Sequence, residues 1–212
     1  MTMRLMSFAS VLFVVLLGCT GKPEELKPDQ YASYIVSDES GLVKQKQVNN
    51  VKIRVRFLPS EYLAYREFIG GQNEVPFDSI WDAYRCGLSF QVVLEADKAD
   101  SRYGSLLYYD AASPEEISAR IRFLSFNIQE FIELKHDGLS FEPSLSHFEG
   151  FDQLGNKMSF QCSFIIKEFQ CGSPLPAFHD LTLVYDDPFL DLGTNQFEFS
   201  RVSLTEIPRI IR

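Results

Sequence analysis

The sequence predicts an α+β fold, mostly antiparallel β-sheet or sandwich, packed with one long and one short α-helix. Two observations carry that expectation. Apolar and polar residues alternate with period two in several separate segments, which is how a strand shows one face to a core and the other to water. One segment, opening at Ser113, instead repeats its apolar residues at helical spacing behind a complete set of N-terminal capping residues. Composition agrees with a folded body: of 212 residues, 45% are hydrophobic, 14% aromatic and 23% charged. That is enough apolar surface for one domain or a closely packed pair. The net charge of −9 excludes general nucleic-acid binding, which needs an excess of cations facing phosphates.

In chain order, Tyr31 to Asp38 reads as a short apolar lead-in. Val51, Ile53, Val55 and Phe57 then alternate with Lys52, Arg54 and Arg56, and Asn49-Asn50 suits a tight hairpin turn. A two-residue turn pairs Lys46 with Ile53 and Lys44 with Val55, whereas a three-residue turn would set both lysines opposite arginines. Like charges directly opposite are unfavourable, so the even turn is expected, with lysines leaning inward to protect a sheet edge. Pro59 opens a short helix that Gly70-Gly71 closes. Gln72 to Arg85 reads as irregular.

Cys86 to Ala96 alternates again as a strand, and Tyr103 to Tyr109 is expected to pair with it as a second hairpin. Ser113-Pro114-Glu115-Glu116 then starts the long helix, whose apolar residues Ile117, Ile121, Leu124, Ile128 and Phe131 share a face. Asp137-Gly138 is read as its stop, Glu116 and Arg120 as an i,i+4 pair, and the wide apolar face as lying across a sheet. The last third reads as strands. Leu139 to Leu145 contains Pro143 and suits an edge; Lys157 to Phe169, Phe178 to Tyr185 and Gln196 to Leu204 follow. In the last of these the apolar parity shifts near Ser200 or Arg201, which suggests a bulge.

The N-terminus carries an address. Arg4 precedes an apolar run from Phe8 to Leu17, half of the roughly 20 residues a spanning helix requires, and so matches the apolar centre of a secretory signal. The run ends in Leu16-Leu17-Gly18-Cys19, which resembles the lipobox of bacterial lipoproteins. That resemblance implies a signal peptide over residues 1–18 and a diacylglyceryl group on the Cys19 thiol. It further implies cleavage before Cys19, Leu16, Leu17 and Gly18 being the recognition residues, and a membrane partner reached through lipid. Several acyl chains on one residue anchor firmly, at about 0.8 kcal/mol per buried CH₂. Thr20 rather than an aspartate after the cysteine implies the outer membrane more than the inner, within the bacterial cell envelope. Residues 19–30, polar and twice interrupted by proline, read as the lipidated cysteine and a tether, leaving 31–212 as a single globular domain.

Chemistry-bearing patterns are sparse. There is no nucleophile elbow, phosphate loop, dinucleotide glycine pattern or His-Glu-x-x-His, so no catalytic residue is assigned and no cofactor is expected. Asp186, Asp187, Asp191 and Asn195 are oxygen donors close in sequence and form a candidate cation loop, although Asp, Pro, Gly and Asn are also ordinary turn residues. Trp81 with Asp78 and Asp82 is a candidate sugar-binding group, His147 with Glu149 a candidate base or ligand pair, and Lys52, Arg54 and Arg56 a candidate anion-binding face. With Cys19 acylated, three cysteines remain. A Cys162–Cys171 bridge is excluded if the strand persists, because about 23 Å would separate them. Cys86 can reach either; the favoured reading of Cys86 and Cys162 is small buried hydrophobes. The function these features support is binding or assembly with another envelope protein, the alternative being an envelope hydrolase or carbohydrate-binding lipoprotein.

Overall fold

A computed structural model describes residues 23–71, 75–96, 105–166 and 180–212. The chain runs β1 (Glu25–Leu26), α1 (Pro28–Val36), β2 (Val43–Val48), β3 (Val51–Leu58), α2 (Ser60–Gly70), α3 (Phe77–Tyr84) and β4 (Gly87–Ala96). It continues through α4 (Pro114–Phe126), β5 (Ile132–His136), β6 (Leu139–Phe141), β7 (Leu145–Phe151), β8 (Lys157–Ile165), β9 (Leu181–Asp186), β10 (Thr194–Phe199), α5 (Arg201–Thr205) and β11 (Arg209–Ile210). The expected α+β, sheet-dominated class is what forms. One antiparallel sheet has the order β2-β3-β4-β8-β7, a second the order β10-β9-β5-β6, and β1 pairs in parallel with β11.

The period-two segments explain why the sheets meet. Val51, Ile53, Val55 and Phe57 on β3, Phe90, Val92 and Leu94 on β4, and Met158, Phe160, Cys162 and Phe164 on β8 are all buried in one cluster with Ile132, Leu134, Leu183, Tyr185, Phe197 and Phe199 of the other sheet. Aromatic rings interlock across the gap: Phe90 lies 5.3 Å from Phe199, and Phe160 lies 5.7 Å from Tyr185, centroid to centroid. Cys162, fully buried and free, fills this core as the small hydrophobe expected, and burial pushes its thiol pKa well up.

The predicted hairpin register forms. Lys44 faces Val55, Lys46 faces Ile53 and Val48 faces Val51, with Asn49 at φ 51° in the turn. The two lysines lean inward as the parity requires, and their ammonium groups stand 5.9 and 5.4 Å above the rings of Phe199 and Phe197. The cations of the β2 edge thus cover the β10 edge of the opposite sheet.

Several boundaries differ from the sequence reading, each for an identifiable reason. Residues 25–30 belong to β1 and the first turn of α1 instead of the tether, because the β1 backbone bonds to the C-terminal β11, a partner nearly the whole chain away. The lead-in is likewise helical, with Tyr31 and Ile35 buried on one face. Within the stretch read as irregular, Phe77, Ile80, Trp81 and Tyr84 recur at helical spacing behind Pro76 and form α3. Of the strand expected over Tyr103 to Tyr109, residues 103–104 lie outside the described residues, and residues 106–110 make turns with Leu106 and Tyr109 buried; the strand edges of β4 are already taken by β3 and β8.

The long helix begins as predicted. Ser113 Oγ accepts from the Glu116 amide at 3.2 Å, while the Glu116 carboxylate reaches back to the Ala112 amide at 2.8 Å. Arg120 donates to the carbonyls of Leu106 and Leu107, both at 3.2 Å, instead of forming the expected bridge to Glu116. The helix stops at Phe126, well short of Asp137-Gly138, and a 3₁₀ turn (Ile128–Phe131) leads into β5. Asp137 and Gly138, at φ 50° and 76°, are the two left-handed residues of the β5–β6 hairpin, where His136 faces Leu139. The parity change near Ser200 marks a switch of element, not a bulge: Ser200 Oγ accepts from the Ser203 amide and caps α5. Pro143 lies between β6 and β7, and both are edge strands.

Phe90 is fully buried and touches Phe57, Phe164 and Phe199. Phe90→Ala is therefore expected to lower unfolding free energy by about 3–5 kcal/mol, read from urea denaturation midpoints. A loss below about 1 kcal/mol would contradict a core shared by both sheets.

Candidate functional site

The lipobox residues Leu16, Leu17, Gly18 and Cys19 lie outside the described residues, as do Cys171 and His179. Cys86 is disulfide-bonded, which corrects its reading as a buried hydrophobe. It is half-buried at the junction of α3 and β4, and its partner also lies outside the described residues.

Asp78 and Asp82 stand one turn apart on α3, and both are exposed. Each is taken by its own arginine. Asp78 Oδ1 is 3.1 Å from the guanidinium of Arg212, which lies 4.3 Å over the Phe77 ring. Asp82 is 3.1 Å from Arg85 Nε, and Arg85 lies 6.0 Å over Trp81. Trp81 itself is half-buried, with its ring nitrogen turned inside. Two carboxylates neutralised separately do not converge on a shared proton or a glycosidic oxygen, as a hydrolytic pair must. The group acts as a clasp between α3 and the C-terminus. Tyr84 extends it to α2, donating to Glu67, which lifts the phenol to about 12 through that hydrogen bond and burial.

The outer face of the five-stranded sheet carries Lys52, Arg54 and Arg56 on β3. Register sets Arg56, Gln91, Gln161 and His147 in one row across four strands. His147 and Glu149 share that face as alternation predicts. The register shifts between Phe148 and Gly150, which leaves Glu149 as the extra residue of a bulge, and Glu149 accepts from Gln91 Nε2 at 2.8 Å. Burial draws the Arg56 pKa down, opposed by Tyr62, with Arg54 and Glu149 also contributing.

The loop after β9 brings its acidic residues together in sequence but turns each to a different partner. Asp187 accepts from Tyr185 Oη at 2.9 Å and from the amides of Leu190 and Leu192. Asp186 accepts from Thr194 Oγ1 at 2.8 Å, and Asp191 from Tyr109 Oη at 3.0 Å. Asn195 is buried and donates to the carbonyls of Leu192 and Gly193, both at 3.1 Å. The candidate cation ligands therefore shape a hairpin connection, and among the described residues no group of three or more His, Cys, Asp or Glu is placed to hold a metal ion.

Glu61 on α2 is a feature that sequence reading missed. Its carboxylate accepts from the Ile210 amide of β11; burial raises its pKa against that bond and against Arg212 and Arg209. A contact between residues so far apart leaves no periodic signal. Beside β1 and β11 lies an open cleft of about 520 Å³ lined by Glu24, Glu25, Glu206, Ile207, Pro208 and Arg209. A second, of about 420 Å³, lies on the outer face of the four-stranded sheet, where Glu130, Glu133, Glu142 and Asp186 surround Lys135. No described helix is long and apolar enough to cross a membrane.

Burial holds the Asp187 carboxyl above the usual carboxylate range, while the Leu192, Leu190 and Tyr185 donors oppose that shift. The folded state thus takes up this proton more readily than the unfolded state does. Its stabilising share is full below the unfolded pKa of about 4 and is lost as pH rises through the folded value. Asp187→Asn is expected to flatten the decline in stability as pH rises above about 4; an unchanged slope in urea titrations would refute the linkage. Asp187→Ala, which strands two amides and a phenol, is expected to cost roughly 2–4 kcal/mol.

No known protein family matches the chain, and no curated protein matches it. Among solved structures it is similar to a protein of unknown function from Burkholderia pseudomallei K96243, at 12% identity and a TM-score of 0.38, covering 86% of this chain and 93% of that one. It is also similar to a DUF4426 family protein from Pseudomonas aeruginosa PAO1, at 8% identity and a TM-score of 0.33, covering 76% of this chain and 93% of that one.

Proposed function

We propose that this chain is a lipid-anchored protein of the bacterial cell envelope, attached through Cys19, whose folded domain binds or helps to assemble another envelope protein. The observation that carries the anchor is the apolar run from Phe8 to Leu17 ending in Leu16-Leu17-Gly18-Cys19, with outer-membrane placement following from Thr20. Binding is favoured over catalysis by what the candidate groups do. The Trp81 carboxylates are engaged by arginines, and those of the β9–β10 loop by hydrogen bonds within and beside it. Apolar surface is available instead: Leu145 and Ile165 lie on the outer face of neighbouring strands, diagonal to one another in register, 66% and 60% exposed. Exposed apolar side chains of this kind on a sheet face fit a protein partner.

Expression with labelled palmitate in a bacterium that processes lipoproteins tests the anchor. The full chain is expected to incorporate label and fractionate with membranes. Cys19→Ala is expected to lose both, and labelling that survives the substitution would refute the assignment.

The disulfide supplies a separate check. With Cys162 free and the Cys19 sulfur assigned to lipid, Cys171 is the sulfur left for Cys86. Peptide mapping without reduction is expected to recover a Cys86–Cys171 pair. A Cys19–Cys86 pair would remove the anchor altogether.

A further inference from the structure

We infer that the end of the domain built from β1, β11 and α5 faces the phospholipid headgroup surface, held there at short range by the N-terminal residues. This rests on the acylation of Cys19 proposed above and goes beyond it by fixing which face of the domain meets the bilayer. The Glu24 carbonyl accepts from the Arg209 amide at 2.8 Å, and the Leu26 carbonyl from the Ile211 amide at 2.8 Å. The chain is therefore part of the folded body from Glu24 onward. Five peptide steps separate Cys19 from Glu24, and at full extension they span at most about 18 Å. That is about half the reach of the tether expected from sequence, because residues 25–30 are folded.

The opposite end of the domain cannot be the one that stands on the bilayer with the domain upright. β3 runs from the Asn49-Asn50 turn to Leu58, directly before α2. Glu61 of α2 holds the Ile210 amide of β11, so the Leu58 end of β3 is the end near the anchor. Seven steps of extended strand place the Asn49-Asn50 turn roughly 23 Å farther along. The loop between β7 and β8 lies at that far end too, since Asn156 accepts from Ala96, which faces Val51. A lipid leash shorter than the strand rules out the inverted upright posture and so favours the β1–β11–α5 end toward the headgroups. The surface it presents carries Glu24, Glu25 and Glu206 around Arg209, with the exposed Val202 of α5 nearby in the chain.

The test uses the full acylated protein in phosphatidylcholine vesicles containing a small fraction of rhodamine-labelled phosphatidylethanolamine. Single cysteines are introduced near the anchor (Val202→Cys, Glu206→Cys) or far from it (Asn50→Cys, Gln153→Cys), and each is labelled with a donor dye. The buried Cys162 thiol, its pKa pushed well up, leaves the introduced thiol the more reactive one. Energy transfer to the headgroup dye is expected to be several-fold greater from positions 202 and 206 than from 50 and 153. Equal transfer from both ends, or greater transfer from the far end, would overturn the orientation. Mass spectrometry of the same preparations separates the two proposals. An unacylated Cys19 would defeat the anchor, whereas an acylated, vesicle-bound protein with the wrong transfer order would defeat the orientation alone.

Discussion

Neither sheet can hide its aromatic face without the other. Phe57, Phe90, Phe160 and Phe164 stand on one inner face, and Tyr185, Phe197 and Phe199 on the other, so closing the gap between the sheets removes from water the largest apolar surface in the molecule. Neighbouring elements keep that gap closed. α4 and its 3₁₀ extension seal the β7 side, where Gln129 accepts from Ser146 at 2.9 Å and Leu124 and Ile128 enter the core. On the β2 side, Lys44 and Lys46 place their ammonium groups over the rings of Phe199 and Phe197. Such an edge repels the pairing of a further strand.

The two ends of the chain are joined at one end of the sandwich. β1 pairs with β11, Glu61 of α2 accepts from the β11 backbone, and Arg212 bridges to Asp78 over Phe77. The residues with the most suggestive chemistry in the sequence are thus spent on fastening the C-terminus and shaping the loop after β9. Asp78 and Asp82 are each paired with an arginine, while Asp186, Asp187 and Asp191 accept hydrogen bonds from neutral groups. What stays exposed is a polar row across the larger sheet, an acidic face on the smaller one and scattered apolar side chains.

Strands with strict alternation were legible because each carries its own evidence. Lys157 to Ile165 needs no neighbour to reveal which face is buried, and the Asn49-Asn50 register followed from the cost of setting lysines against arginines. Ser113 announced its helix through local hydrogen bonds. Asp137-Gly138 misled, because the same two residues that can end a helix also make the tightest hairpin turn, and only the pairing of β5 with β6 and β9 settles which. Likewise Ser200 caps a helix where a parity change alone suggested a bulge. The missed helix α3 was short, and its apolar residues were masked by the carboxylates between them.

What the sequence determined by itself was local and periodic: the class of fold, the faces of the long strands, the β2–β3 register and the start of α4, all set by neighbours within a few residues. The tertiary structure alone decided the sheet order, the joining of β1 to β11, the arginine partners of Asp78 and Asp82 and the hydrogen bonds of Asp187. Those depend on groups brought together from distant positions, and a side chain's charge or burial is fixed only when the remote groups that surround it are in place.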